Sequence, residues 1–177
     1  MTAPEFSRLE RIDTIGEGER TITVIATDAE RVALAKRFDL ISVDRLEARF
    51  AVRRDAAGIV ARGTVDAAVV QACSVTDDAL SVTVSEPVAL RFVDHEPDAE
   101  EIELDPEALD TMVFDGAAVD LGEAAAETMA LSLDPFPRGP NAAAALKAAG
   151  VISEEEAKPA GALAGLKAAL EKRLDRS

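Results

Sequence analysis

The sequence predicts an α+β fold: an antiparallel β meander, an open barrel-like sheet, with helices packed on it and a partly helical C-terminal tail. Two observations carry this expectation. Three runs of alternating apolar and polar residues (43–54, 59–71 and 80–92) follow one another with only short turns between them, which builds a meander and not a βαβ unit. Two further stretches, 27–38 and 120–133, open on capping residues and carry apolar side chains at helical spacing.

The elements follow in order. After a turn at Gly16-Glu-Gly18, Thr21-Ile-Thr-Val-Ile25 reads as a short strand. Thr27 and Glu30 form a capping box for a helix reaching about Phe38. In the first long strand Leu46, Ala48, Phe50 and Val52 fall on one face, and Arg45, Glu47, Arg49 and Arg53 on the other. Asp55-Ala-Ala-Gly58 reads as a hairpin loop. Ile59 to Gln71 returns as the second strand, adding Val65, Ala67 and Val69 to the apolar face. Asp77-Asp78 marks the next turn, and Leu80 to Phe92 the third strand, where Pro87 signals an edge or a bulge. Met112-Val-Phe114 reads as one more short strand.

Asp120 is placed to cap a helix, with Glu123 three residues on to complete an approximate capping box. Leu121, Ala125, Met129 and Leu133, with Ala124, Thr128 and Leu131 beside them, form its apolar stripe, and Glu123 and Glu127 lie off it. Pro135 stops the helix, and Pro137 holds Phe136 and Arg138 on a stiff, extended strut. Asn141 to Ala149 is helix-prone and ends at Gly150. Beyond it, Leu163, Leu166, Leu170 and Leu174 make a stripe too short for a stable coiled coil. The expected organisation is one α+β domain over 5–140, with an acidic mobile loop at 94–110, followed by an Ala/Leu-rich helical tail over 141–177.

Charge is concentrated. Of the net −15, residues 94–134 contribute −14, with 14 acids and no base. Within it, the run 94–107, dense in like charge and broken by Pro97 and Pro106, reads as a solvated loop. Its functional alternative is an electronegative docking surface for a basic partner, centred on Glu100, Glu101 and Glu103. Phosphates are repelled by such a segment, so it argues against nucleic-acid binding there, and no DNA partner is expected. The single Cys excludes an intramolecular disulfide and suits a reducing compartment. With no basic-then-apolar leader and no membrane-length apolar run, a soluble cytoplasmic protein without a membrane partner is expected.

Catalytic signatures are weak. Cys73 has no sequence feature pairing it with His95, the only His, and reads as a buried, inert thiol. One Cys and one His are a poor basis for a tetrahedral zinc site, and the acidic run lacks the spacing and central Gly of a calcium loop. No Gly-rich phosphate loop is present, so neither metal nor cofactor is expected. Arg45, Arg49 and Arg53 share a strand face that Arg62 joins if the register permits. That ridge reads either as a solvated, salt-bridged face or as a contact for RNA phosphates. No aromatic residue interleaves with it, so base stacking is not expected.

Three segments carry a resemblance. They are Gly63-Thr-Val-Asp-Ala-Ala-Val-Val-Gln-Ala-Cys-Ser-Val-Thr76; Val88-Ala-Leu-Arg-Phe92 leading into the acidic stretch; and Val119-Asp-Leu-Gly-Glu123 with Glu127 and the closing Leu131-Ser-Leu-Asp-Pro-Phe-Pro-Arg138. In order and spacing they resemble the YceD family, the large ribosomal RNA subunit accumulation proteins of bacteria and plastids, and within it the α-proteobacterial branch. The resemblance implies a role in the production, processing or stability of large-subunit (23S) ribosomal RNA, and brings no established catalytic activity. Its motif positions fall here on Gln71, Cys73 and Thr76, on Asp120, Leu121, Gly122 and Glu127, and on Pro135, Pro137 and Arg138. Many relatives carry a second Cys where this chain has Thr76, so no paired-cysteine metal or disulfide role carries over. The expectation is a non-enzymatic ribosome-biogenesis factor. Its acidic block holds a basic ribosomal protein or rRNA-processing factor, with Glu123, Glu127, Phe136 and Arg138 exposed for contact. Direct rRNA binding through the arginine face is the first alternative, and an unrecognised hydrolase using Cys73 or His95 the second.

Overall fold

The computed structural model describes residues 4–94, 109–114 and 116–151. Their elements are β1 (Leu9–Arg11), a 3-10 turn (Ile12–Thr14), β2 (Arg20–Ile25), α1 (Asp28–Arg37), β3 (Ser42–Asp55), β4 (Gly58–Ala72), β5 (Ala79–Val93), β6 (Asp110–Val113), β7 (Ala118–Asp120), α2 (Leu121–Leu131) and α3 (Ala142–Ala148). The main sheet has five strands in the order β2-β3-β4-β5-β6 and does not close. β2 to β5 run antiparallel, as the period-2 runs predict. The architecture is the expected α+β.

Three features of the sheet depart from a plain meander. β6 pairs with β5 in parallel, from Leu90↔Asp110 to Val93↔Val113. Segment 94–109 is long enough for the return that a parallel neighbour requires. β1 and β7, which the sequence does not announce, form a separate two-stranded sheet. In β3 the register shifts between Val43 and Arg45, so Val43 and Leu46 both face the core. Pro87 sits where β5 has only β4 beside it, since β6 begins at Leu90. The missing N–H of Pro87 therefore costs no ladder bond on a second side.

The β3–β4 hairpin shows why its four residues are chosen. Asp55 pairs with Gly58, and its Oδ1 accepts from the Ala57 N–H at 2.9 Å. Gly58 adopts φ 144°, a region L side chains rarely enter, and a Cβ there would fall on the Phe92 carbonyl.

One face of the sheet holds the core. Phe50, Leu46, Val52, Val65 and Val69 pack with Leu34 of α1, Leu121 and Met129 of α2, and Phe6 from the N-terminal segment. Each such large side chain contributes about 1.5–3 kcal/mol through burial. Gly122, Ala124, Ala125 and Ala126 of α2 are also buried, so the helix is enclosed on most sides and its small residues permit close approach. Two expectations for this helix are corrected. It ends at Leu131, not 133, and Leu131 is 86 % exposed, off the packed stripe. Leu133 is only partly buried against the core. α3 follows with Ala142 buried, and Gly150 takes φ 79° after it. Among the described residues no helix is long and apolar enough to cross a membrane.

Candidate functional site

The Asp120–Gly122 motif cluster has a structural duty at the start of α2. Asp120 caps α2, its Oδ1 accepting from the N–H groups of Gly122 (3.0 Å) and Glu123 (3.1 Å). The same oxygen accepts from the Arg8 N–H at 2.7 Å, which ties the N-terminal segment to the helix start. Leu121 is fully buried. Gly122 is required by proximity: a Cβ there would lie 2.5 Å from the Phe6 carbonyl oxygen and 2.9 Å from the Arg8 nitrogen.

Glu123 does not complete a capping box. Its carboxylate accepts a bidentate pair from Arg37 of α1, at 2.9 and 2.6 Å, and Arg37 also reaches Glu5 at 3.1 Å. This corrects the expectation that Glu123 is exposed, because its side chain is only 18 % accessible. The geometry explains the difference: Arg37 stands close enough to supply a charged partner, which outcompetes a neutral backbone N–H. Glu127, one turn on, is also half-buried, and burial first and then the Glu123 charge push its carboxyl above the usual range.

The remaining motif positions converge. Gln71 lies at the end of β4 and Cys73 directly follows it, and the strap 134–139 crosses that end. The Gln71 side chain donates to the Asp134 carbonyl at 3.1 Å. Ser74 donates both its N–H (2.8 Å) and its hydroxyl (3.0 Å) to the Pro137 carbonyl. The Gly139 N–H donates to the Cys73 Sγ at 3.3 Å. Pro135 and Pro137 have no N–H to offer, so the strap is held through its carbonyls and through Gly139. Thr76 donates to Asp78 at 2.8 Å, and the same Asp78 oxygen accepts from Asn141 at 3.2 Å, which links the loop to the start of α3. The Phe136 N–H donates to Oδ1 of Asp134 at 2.8 Å, and this turn presents the Phe136 ring with 71 % exposure. Arg138 is exposed beside it.

A groove runs between this strap, the β4–β5 loop and the end of α1. Its apolar floor includes Phe38, Leu40, Leu133 and Pro137, and its charged lining is Asp39, Asp77 and Asp134, with no basic side chain among the described residues. Asp39 and Asp77 take φ 54° and 56°, the left-handed region that Asp tolerates. The sequence shows acids at these positions but gives no signal that three separate segments assemble them.

Cys73 is buried, as expected, but its surroundings modify the inert reading. Its thiol is drawn down from 9.0 to about 7, first by the Gly139 N–H, then by the Thr76 hydroxyl and the Val75 N–H, while burial opposes the shift. Backbone donors supply the stabilisation that a His would otherwise provide. The sulfur is buried, and its bond from Gly139 ties the strap to the end of β4. His95 lies outside the described residues, as do Glu100, Glu101, Glu103 and the tail from 152 onward. Among the described residues no group of three His, Cys, Asp or Glu side chains is placed to hold a metal.

The opposite face of the sheet, which no described helix covers, carries the arginines. Arg62 pairs with Ala51, so it does join Arg45, Arg49 and Arg53 on one face. The structure divides the four. Arg45 is held by Glu47, and Arg53 stands 4.0 Å from Asp55, which also receives Arg91 at 2.7 Å. Arg49 and Arg62 are exposed and have no carboxylate partner among the described residues.

A family model described as "Large ribosomal RNA subunit accumulation protein YceD" matches residues 61–168, from β4 through the strap and beyond α3. No curated protein and no solved structure matches the chain.

Proposed function

The chain belongs to the YceD family, whose description is a role in large ribosomal RNA subunit accumulation, and from that premise we propose that it acts as a non-enzymatic factor in ribosome biogenesis. It supports the synthesis, processing or stability of 23S ribosomal RNA by docking a basic ribosomal protein or rRNA-processing factor on an acidic surface. The observation that carries this reading is the groove beside Phe136. Three carboxylates and an apolar floor, with no basic side chain in the lining among the described residues, suit a basic segment that also carries apolar side chains. The 94–134 segment, with 14 acids and no base, extends the same sign of charge.

A pull-down from cell lysate, with and without nuclease, tests the proposal. Nuclease-resistant capture of a basic protein is expected, and it should be lost when Glu100, Glu101 and Glu103 are changed to Lys. Capture that disappears with nuclease would overturn it. One observation favours a second reading, direct contact with rRNA: among the described residues, Arg49 and Arg62 stand exposed and without a carboxylate partner on one sheet face.

A further inference from the structure

We infer that Arg49 and Arg62, with Thr21, Thr23 and Thr64 around them, form a phosphodiester cradle for an RNA backbone. The inference rests on the second reading above and narrows it to one site. Arg49 of β3 stands opposite Thr64 of β4 on one side and Thr23 of β2 on the other. Ala51, two residues along, stands opposite Arg62 and Thr21. The arginines are therefore diagonal neighbours on adjacent strands, roughly 7–8 Å apart at the backbone, and they share a face. Ala51 offers only a methyl group between them, and the groove left there is lined by the three threonines.

The chemistry suits phosphate. Each guanidinium presents a rigid fork of donors that matches two phosphate oxygens, and the hydroxyls add neutral donors. Glu47 and Asp66 also border the groove. Glu47 is neutralised by its ion pair with Arg45, while Asp66 accepts from the Ser85 hydroxyl at 2.8 Å and keeps its charge, so Arg49 and Arg62 face one uncompensated carboxylate across the groove. Arg53 and Arg91 lie by Asp55, which leaves Arg49 and Arg62 as the free cations of this face among the described residues. Phe50 and Phe92 point into the core, so no ring is offered for base stacking, and the site contacts backbone without reading sequence. An open groove holds one small phosphate poorly, whereas a polymer gains from successive contacts. The net charge of −15 opposes RNA at long range, but at physiological ionic strength the Debye length is about 8 Å and local groups decide.

The test uses the full chain, two labelled single-stranded RNAs of unrelated sequence and anisotropy over a salt titration. Binding to both RNAs is expected to weaken with salt. Arg49→Ala and Arg62→Ala should each lower the slope of log affinity against log salt by about one, equally for both RNAs. Arg45→Ala should leave the slope unchanged. Both side chains are exposed, so an unchanged thermal unfolding curve verifies that the variants fold. Absence of wild-type binding at low salt would overturn the second reading and the site together. Binding that survives the double variant but falls in Arg45→Ala or Arg53→Ala would overturn the site alone. Polyglutamate bound as tightly, with the same dependence on Arg49, would replace RNA with an acidic protein as the ligand.

Discussion

Gly139 donates its backbone N–H to the sulfur of Cys73 at 3.3 Å, across 66 positions of sequence. The bond joins a loop at the end of β4 to a strap that contains two prolines, and it strengthens when the sulfur is ionised. The thiol is accordingly held near 7, below its ordinary 9.0. A depressed folded-state value means that ionisation favours the folded chain. The resulting stability is fully present above pH 9 and is lost as pH falls through 7. Denaturant unfolding of the wild type and Cys73→Ala at pH 6, 7.5 and 9 should show a difference that grows with pH. A pH-independent difference would mean that the latch is packing alone.

Glu30 provides a second titration with the same sign and a different window. Its carboxylate completes the α1 capping box with Thr27 and receives Arg8 at 2.7 and 2.9 Å. Arg8 first, and then the Thr27 donors, against an opposing effect of burial, lower it from 4.5 to about 2. The stability it supplies is complete above pH 4.5 and is lost between that value and about 2. Glu30→Gln should cost about 1–2 kcal/mol at pH 7 and flatten the acid limb of the stability curve. An unchanged acid limb would assign that limb to other carboxylates.

Arg37 bridges α1 to α2 through its bidentate contact with Glu123. Arg37→Ala leaves a mostly enclosed carboxylate beside Glu127 without its cation, at an expected cost of about 1–3 kcal/mol. Arg37→Lys should recover only part of this, because a point charge cannot reproduce the fork. Glu127 should titrate higher still in Arg37→Ala, since Arg37 is one of the influences that lower it. Carboxyl NMR titrations would detect that shift, and an unmoved Glu127 would argue against electrostatic coupling.

Local and tertiary signals separate clearly in this chain. The Thr27–Glu30 capping box, the Asp55–Gly58 hairpin and the long alternating strands are set by neighbouring residues, and the sequence shows them directly. The parallel placement of β6, the pairing of β1 with β7 and the Arg37–Glu123 contact depend on partners far along the chain, where periodicity carries no information. Leu131 misleads for a related reason: helical spacing places it near the stripe, but exposure is decided by where the neighbouring elements end. The strap site is half legible in the sequence. Its motif residues stand out in the sequence on both sides, while their meeting through Ser74 and Gly139 depends on tertiary contacts that no local pattern carries.

Gly122 separates a structural motif residue from a binding one. Gly122→Ala places a Cβ within 2.5 Å of backbone that cannot rotate away. Overpacking of this kind costs about 1–3 kcal/mol, and it should loosen Phe6 and β1 from α2. Hydrogen exchange of the Arg8 and Leu121 amides, which lie in that junction, should accelerate more than exchange in β4. Uniform acceleration would show that the whole sheet, and not the junction, has been weakened.

The strap groove offers two separable contributions to docking. Phe136 is mostly exposed, and its ring makes little contribution to the fold, so Phe136→Ala should leave unfolding within about 0.5 kcal/mol of wild type. If the ring anchors a partner, the same change should lower affinity at every salt concentration, because the lost contact is apolar. Asp39, Asp77 and Asp134 act through charge, and Asn retains their shape and tolerates the left-handed conformation of the first two. The triple change to Asn should therefore weaken capture strongly at low salt and hardly at all at high salt, where screening has already removed the attraction. Quantitative pull-downs of the basic partner across a salt series would resolve the two effects. Parallel loss in both variants with identical salt dependence would mean that the strap has been deformed, and that neither the ring nor the charges bind the partner.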